Sequence, residues 1–126
     1  MGGAGPSLRI GQPVGSGPGT VGGLLADTGA TCAAFMTAWN PHSNQETSKA
    51  QNKAAHARLL NRLAGFPGVT VHEGEGAGTD PAWAPERSVL AVGLGKPDAV
   101  TLGREFRQNA IVWVGEAGVP ELVLLR

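Results

Sequence analysis

In SKAQNKAAHARLLNRLAGFPGVTVHEGE, residues 48–75, a helix gives way to a strand within a few residues, and the neighbouring segments take their meaning from that change. Ala50, Ala54, Ala57 and Ala64 recur on one helical face, and Ala55, Leu59 and Leu63 widen it. Ser48 and Gln51 have the spacing of a capping box, in which each side chain satisfies a backbone N–H at the helix start. Gly65, Pro67 and Gly68 then stop the helix. From Val69 to Glu75 the period falls to two: Val69, Val71 and Glu73 share one face, and Thr70, His72 and Gly74 the other. This is the pattern of a half-exposed edge strand.

On the N-terminal side, CAAFMTAW (residues 32–39) is a near-continuous apolar run of strand length, ended by the turn-forming pair Asn40-Pro41. It reads as a buried central strand. On the C-terminal side, Ser88 to Leu94 is again strand-like, and Pro97 opens a helix through Phe106 with Ala99, Leu102 and Phe106 towards the core. Asn109 to Val114 and Pro120 to Leu125 are strands joined by GEAG, a glycine-containing hairpin connection. Before all of these come a short strand at Ser7 to Ile10 and a weak helix at Thr20 to Asp27, where Gly22 and Gly23 each cost about 1 kcal/mol relative to alanine.

The order strand, helix, strand, strand, helix, strand predicts an α+β fold with a ferredoxin-like βαββαβ core. To it are added the N-terminal strand and weak helix and a C-terminal hairpin strand. We expect a mixed sheet with the two longer helices on one face. The 126 residues suit one domain, 1–126, with a core over about 31–126 and a flexible N-terminus at 1–6; the loop from Gly76 to Pro85 is also expected to be mobile. Half of the 20 glycines lie within residues 1–30, so the glycine excess is local.

Ten basic and ten acidic residues give a formal net charge of zero, without the basic surplus of a nucleic-acid binder. No apolar run approaches the roughly 20 residues of a membrane span, and no secretory leader is evident, so a cytoplasmic location is expected. Cys32 alone can form neither an intrachain disulfide nor a multi-thiolate zinc site, and its apolar setting predicts a buried, inert thiol.

The proposed topology brings the 40–47 loop, the 76–87 loop and Gln108-Asn109 to one end of the sheet. Asn40, His42, Ser43 and Asn44 fall between a strand end and a helix N-terminus, where free N–H groups favour an anion; alternatively they only make turn hydrogen bonds. Gln108 and Asn109 suit ligand reading better than proton transfer, or else close the helix end. Trp83 is placed to cover a ligand, whereas Trp39 and Trp113 read as core. Glu73, Glu75, Asp80 and Glu86 offer oxygen ligands for a divalent cation, or a solvated acidic edge. His56 reads as a surface or helix-packing histidine, and GLGK at 93–96 lacks the rest of a phosphate loop.

TAWNP, WAPERS, REFRQNAIVW and the closing VPELVLL resemble a bacterial family known as domain of unknown function family 3293. Asn40, Pro41, Trp83, Glu86, Gln108 and Asn109 match its pattern, while Arg107 stands where the resemblance implies glycine. The resemblance implies kinship without an established activity. The leading expectation is a non-catalytic domain, without cofactor, that binds a small polar or anionic ligand or a protein partner through Asn40, His42, Ser43, Trp83, Glu86, Gln108 and Asn109. The alternative is a small hydrolase or transferase with His42 or Glu75 as general base and a divalent metal on Glu73, Glu75 and Asp80.

Overall fold

A computed structural model describes residues 21–40, 46–76 and 86–125. The helix at the centre of the sequence argument, α2 (Lys49–Ala64), starts on the predicted capping box: Gln51 N–H donates to Ser48 Oγ at 3.1 Å, and Ser48 N–H to Gln51 Oε1 at 3.1 Å. It ends at Gly65. Its buried face is Asn52, Ala55, His56, Leu59 and Leu63, whereas Ala50, Ala54, Ala57 and Ala64 are exposed. The alanine face therefore is not the core face. Leucines bury several times more apolar area than alanine methyls, so their positions orient the helix.

Around it the chain forms α1 (Val21–Thr28), β1 (Ala33–Met36), β2 (Thr70–Gly76), β3 (Glu86–Val92), α3 (Lys96–Glu105), β4 (Ala110–Val114) and β5 (Glu121–Leu124). The sheet order is β2-β3-β1-β4-β5, and every neighbouring pair is antiparallel. The ferredoxin-like core and the added hairpin strand are as expected, but the sheet is not mixed. Although β1 and β2 run the same way, β3 lies between them, so no parallel pair forms. The expected strand at Ser7 to Ile10 and the segment 1–6 lie outside the described residues, as does the loop from 77 to 85.

Residues paired across strands share a face, and the two faces carry separate cores. On one, Ala34, Met36, Val89, Ala91 and Ile111 pack with Leu59 and Leu63 of α2 and Leu102 and Phe106 of α3. On the other, Ala33, Leu90 and Val92 pack with Val21 of α1. The glycine-containing helix is thus a real element, stabilised by packing against the sheet rather than by propensity. β1 contributes alternate residues to both cores and pairs on both edges, which makes it the hub of the molecule. Its Cys32 neighbour, half-buried rather than fully internal as expected, donates a thiol hydrogen bond to Leu94 O at 3.4 Å, and burial pushes the thiol pKa up.

Two helix ends use the same device with different residues. After α1, Gly29 takes φ 72° and Ala30 N–H returns to Leu25 O at 3.0 Å. After α3, Arg107 takes φ 56°, Gln108 N–H returns to Gly103 O at 2.9 Å, and Arg107 N–H to Arg104 O at 3.0 Å. This is a Schellman cap with arginine in the position that glycine ordinarily fills. The left-handed conformation costs a non-glycine residue roughly 1–2 kcal/mol.

Candidate functional site

β1 stops at Met36, short of the expected Trp39, because side chains take over the backbone groups there. Thr37 Oγ1 donates to Arg87 O at 2.6 Å and accepts from Trp39 N–H at 3.0 Å. Asn40 then turns the chain at φ 47°, a conformation asparagine tolerates better than most residues. Its N–H donates to Asn52 Oδ1 at 2.8 Å, and Asn52 Nδ2 donates to Asn40 Oδ1 at 3.0 Å. A reciprocal amide pair thus fixes the strand end to the first turns of α2. From the other side Gln108 Nε2 donates to Trp39 O at 3.1 Å and to Phe106 O at 3.2 Å.

Asn40 and Gln108 therefore do meet at one end of the sheet, beside the start of α2. Gln108, buried at 8 % exposure, spends its amide on closing the end of α3 and holding Trp39. Asn109 lies one residue before β4, where its carbonyl accepts from Leu125 N–H at 2.8 Å. Glu86 is the first residue of β3, opposite Gly76, and Glu75 lies opposite Arg87. His42, Ser43, Asn44, Asp80 and Trp83 lie outside the described residues. Trp39 and Trp113 are half-buried rather than fully internal.

Three participants did not stand out from the sequence. Asn52 and His56 are one helical turn apart on α2 and each only 3 % exposed. His56 Nε2 lies 2.8 Å from Glu73 Oε1, and Arg87 Nη2 donates to the same oxygen at 3.0 Å. The spacing of Asn52 and His56 with Leu59 and Leu63 was the available signal, since all four follow one helical stripe. Glu73 is held below the ordinary carboxylate range, first by its hydrogen bond to His56 and further by the charges of His56 and Arg87. An ionised Glu73 accepts, so the proton of this bond sits on Nε2. Among the described residues Trp39 Nε1, His56 Nδ1 and His72 Nε2 are buried without a hydrogen-bond partner, and His72, opposite Leu90, lies on the other face of the sheet from Glu73. No group of three His, Cys, Asp or Glu side chains among the described residues is placed to hold a metal ion.

Because Glu73 has a lowered pKa in the folded state, its contribution to stability is full above the unfolded value of roughly 4.3 and fades as pH falls through the lowered one. Glu73→Gln is expected to lower stability at neutral pH by less than about 1 kcal/mol, since the carboxylate is half-exposed and screened. Chemical denaturation at stepped pH should show wild type and variant converging in acid. A gap that stays constant down to the acid end would contradict this account.

The architecture is that of a ferredoxin-like α+β domain with a buried amide and imidazole cluster at one end of its sheet. The chain belongs to the family described as "Protein of unknown function (DUF3293)", whose pattern matches residues 36–111, from the last residue of β1 into β4. No curated protein matches it. Among solved structures it is similar to a phage SAM lyase in complex with S-methyl-5'-thioadenosine, at 15 % identity and a TM-score of 0.40 over 94 % of this chain and 96 % of that one. No helix among the described residues is long and apolar enough to cross a membrane.

Proposed function

We propose that this domain binds a small polar ligand at the sheet end where Trp39, Asn40, Asn52, His56 and Gln108 gather. The observation that carries the reading is that two of the three buried ring nitrogens without a partner among the described residues, Trp39 Nε1 and His56 Nδ1, belong to this end, the third being His72 Nε2 on the other sheet face. Leaving a buried donor or acceptor unpaired costs about 1–3 kcal/mol, so such groups call for an explanation. A ligand with one acceptor and one donor would supply the missing bonds. Asn40, Asn52 and Gln108, already paired to each other or to backbone, then act as the frame that holds the two rings in place.

The test is a thermal-shift screen of amino acids, organic acids, nucleosides and sugar phosphates against wild type and Trp39→Phe. A ligand at a hundred times its Kd stabilises the native state by about 2.7 kcal/mol. We expect a response in wild type that disappears in Trp39→Phe, while the unliganded variant melts no lower than wild type because an unpaired buried N–H has been removed. A screen without response, or a response that survives the substitution, would count against the site. A second, catalytic reading is favoured by one feature only: Glu73 holds His56 by Nε2 and leaves Nδ1 as a potential base.

A further inference from the structure

A groove of about 620 Å³ lies between α2 and the end of α3; neither Trp39 nor His56 is among the residues that line it, and its chemistry differs from theirs. Its floor is apolar, with Ala55 and Phe106 reaching it at 5 and 7 % exposure over the buried Ala38, and Arg58, Asn61, Arg62, Glu105 and Arg107 supply its polar groups. The volume is that of a small-molecule site. Arg62 is committed: its Nε and Nη2 donate to the two Glu105 oxygens at 2.8 and 2.9 Å, a fork-to-fork pair that lowers the Glu105 pKa. Arg58 and Arg107 are exposed and have no carboxylate partner among the described residues. In a chain of zero net charge, this groove therefore carries two unmatched guanidinium groups.

Arg107 is also the residue held at φ 56° in the cap where α1 uses Gly29. A strained backbone retained at the lip of a cavity is a pointer to function, because glycine would close the same helix end without strain. What arginine adds there is a charged fork. Two unmatched positive charges balance a phosphate monoester, which carries about −1.5 to −2 at neutral pH. We propose that the groove binds a small phosphate monoester, its phosphate held by Arg58 and Arg107 and its apolar portion resting on the floor at Ala55 and Phe106.

Phenyl phosphate is the probe, titrated calorimetrically at low ionic strength, with benzyl alcohol as the uncharged counterpart. Phenyl phosphate is expected to bind, and benzyl alcohol at least tenfold more weakly. Arg58→Gln and Arg107→Gly should each reduce the phenyl phosphate affinity tenfold or more, whereas Arg104→Gln, which removes an exposed charge of α3 outside the groove lining, should change it less than twofold. Arg107→Gly should at the same time raise the melting temperature, so its loss of binding is not a loss of fold. Trp39→Phe should leave phenyl phosphate binding unchanged, which separates this site from the sheet end. Absence of binding, or affinity untouched by both groove substitutions, or an equal loss in Arg104→Gln, would overturn the proposal.

Discussion

Replacing Leu59 with alanine is expected to remove about 3 kcal/mol of stability, within the 2–5 kcal/mol range for truncating a buried leucine. Leu59 is fully buried in the core formed by α2, α3 and the sheet, where Leu63, Leu102 and Val89 are also fully buried. A close-packed interior cannot collapse around the space without moving the sheet, so the lost contacts and the cavity both count. Against a typical total of about 5–15 kcal/mol, this is a large fraction. Urea denaturation should show the midpoint falling at unchanged slope. The neighbouring Leu60 only packs against the core's edge, so Leu60→Ala should cost markedly less. If the two leucines prove equivalent, the face assigned to α2 is wrong.

Asn52→Ala is expected to cost about 2–3 kcal/mol although it deletes only a short polar side chain. The deletion leaves Asn40 N–H and Asn40 Oδ1 without the partners they have at 2.8 and 3.0 Å, and unpaired groups of this kind cost about 1–3 kcal/mol. Asn40→Gly is the informative companion. Glycine takes φ 47° without strain and keeps its N–H bond to Asn52, so the loss should be smaller. In the double variant the backbone N–H still lacks its acceptor, yet the side-chain bond is no longer there to lose. The two substitutions should therefore be less than additive. Additive losses, or an Asn52→Ala loss below about 0.5 kcal/mol, would mean that the amide pair does not hold the strand end to the helix.

The contrast between these residues also shows what local chemistry can reveal. The start of α2 was legible to the residue because Ser48 and Gln51 satisfy backbone groups within a single turn. The order of elements followed from the alternation of periods, but the mixed sheet expected from it does not form, because β3 separates β1 from β2. Of the apolar face expected on α2 only Ala55, Leu59 and Leu63 are buried, because four alanines in helical register look like a core stripe until the leucines are weighted by area. The early end of β1 depends on Thr37 reaching Arg87, fifty residues away, which no local pattern contains. In the candidate site, Asn40 and Gln108 were visible through the family resemblance. His56 was identified as helical but not connected with Glu73, because that contact requires knowing which strand lies under α2. The arginine groove is less local still: Arg58 and Arg107 come together only after both helices have docked.

The placement of β1 has a consequence for how the chain reaches this state as it is made. β1 is complete at Met36, yet both of its pairing partners are encoded later, β3 ending at Val92 and β4 at Val114. At about 5–20 residues per second, roughly 4 to 16 s separate the synthesis of Met36 from that of Val114. Throughout that interval the central, wholly apolar strand of the sheet has at least one open edge. Slow elongation or truncation before residue 110 would prolong the exposure, making nascent chains of intermediate length the form of this protein with most need of a chaperone.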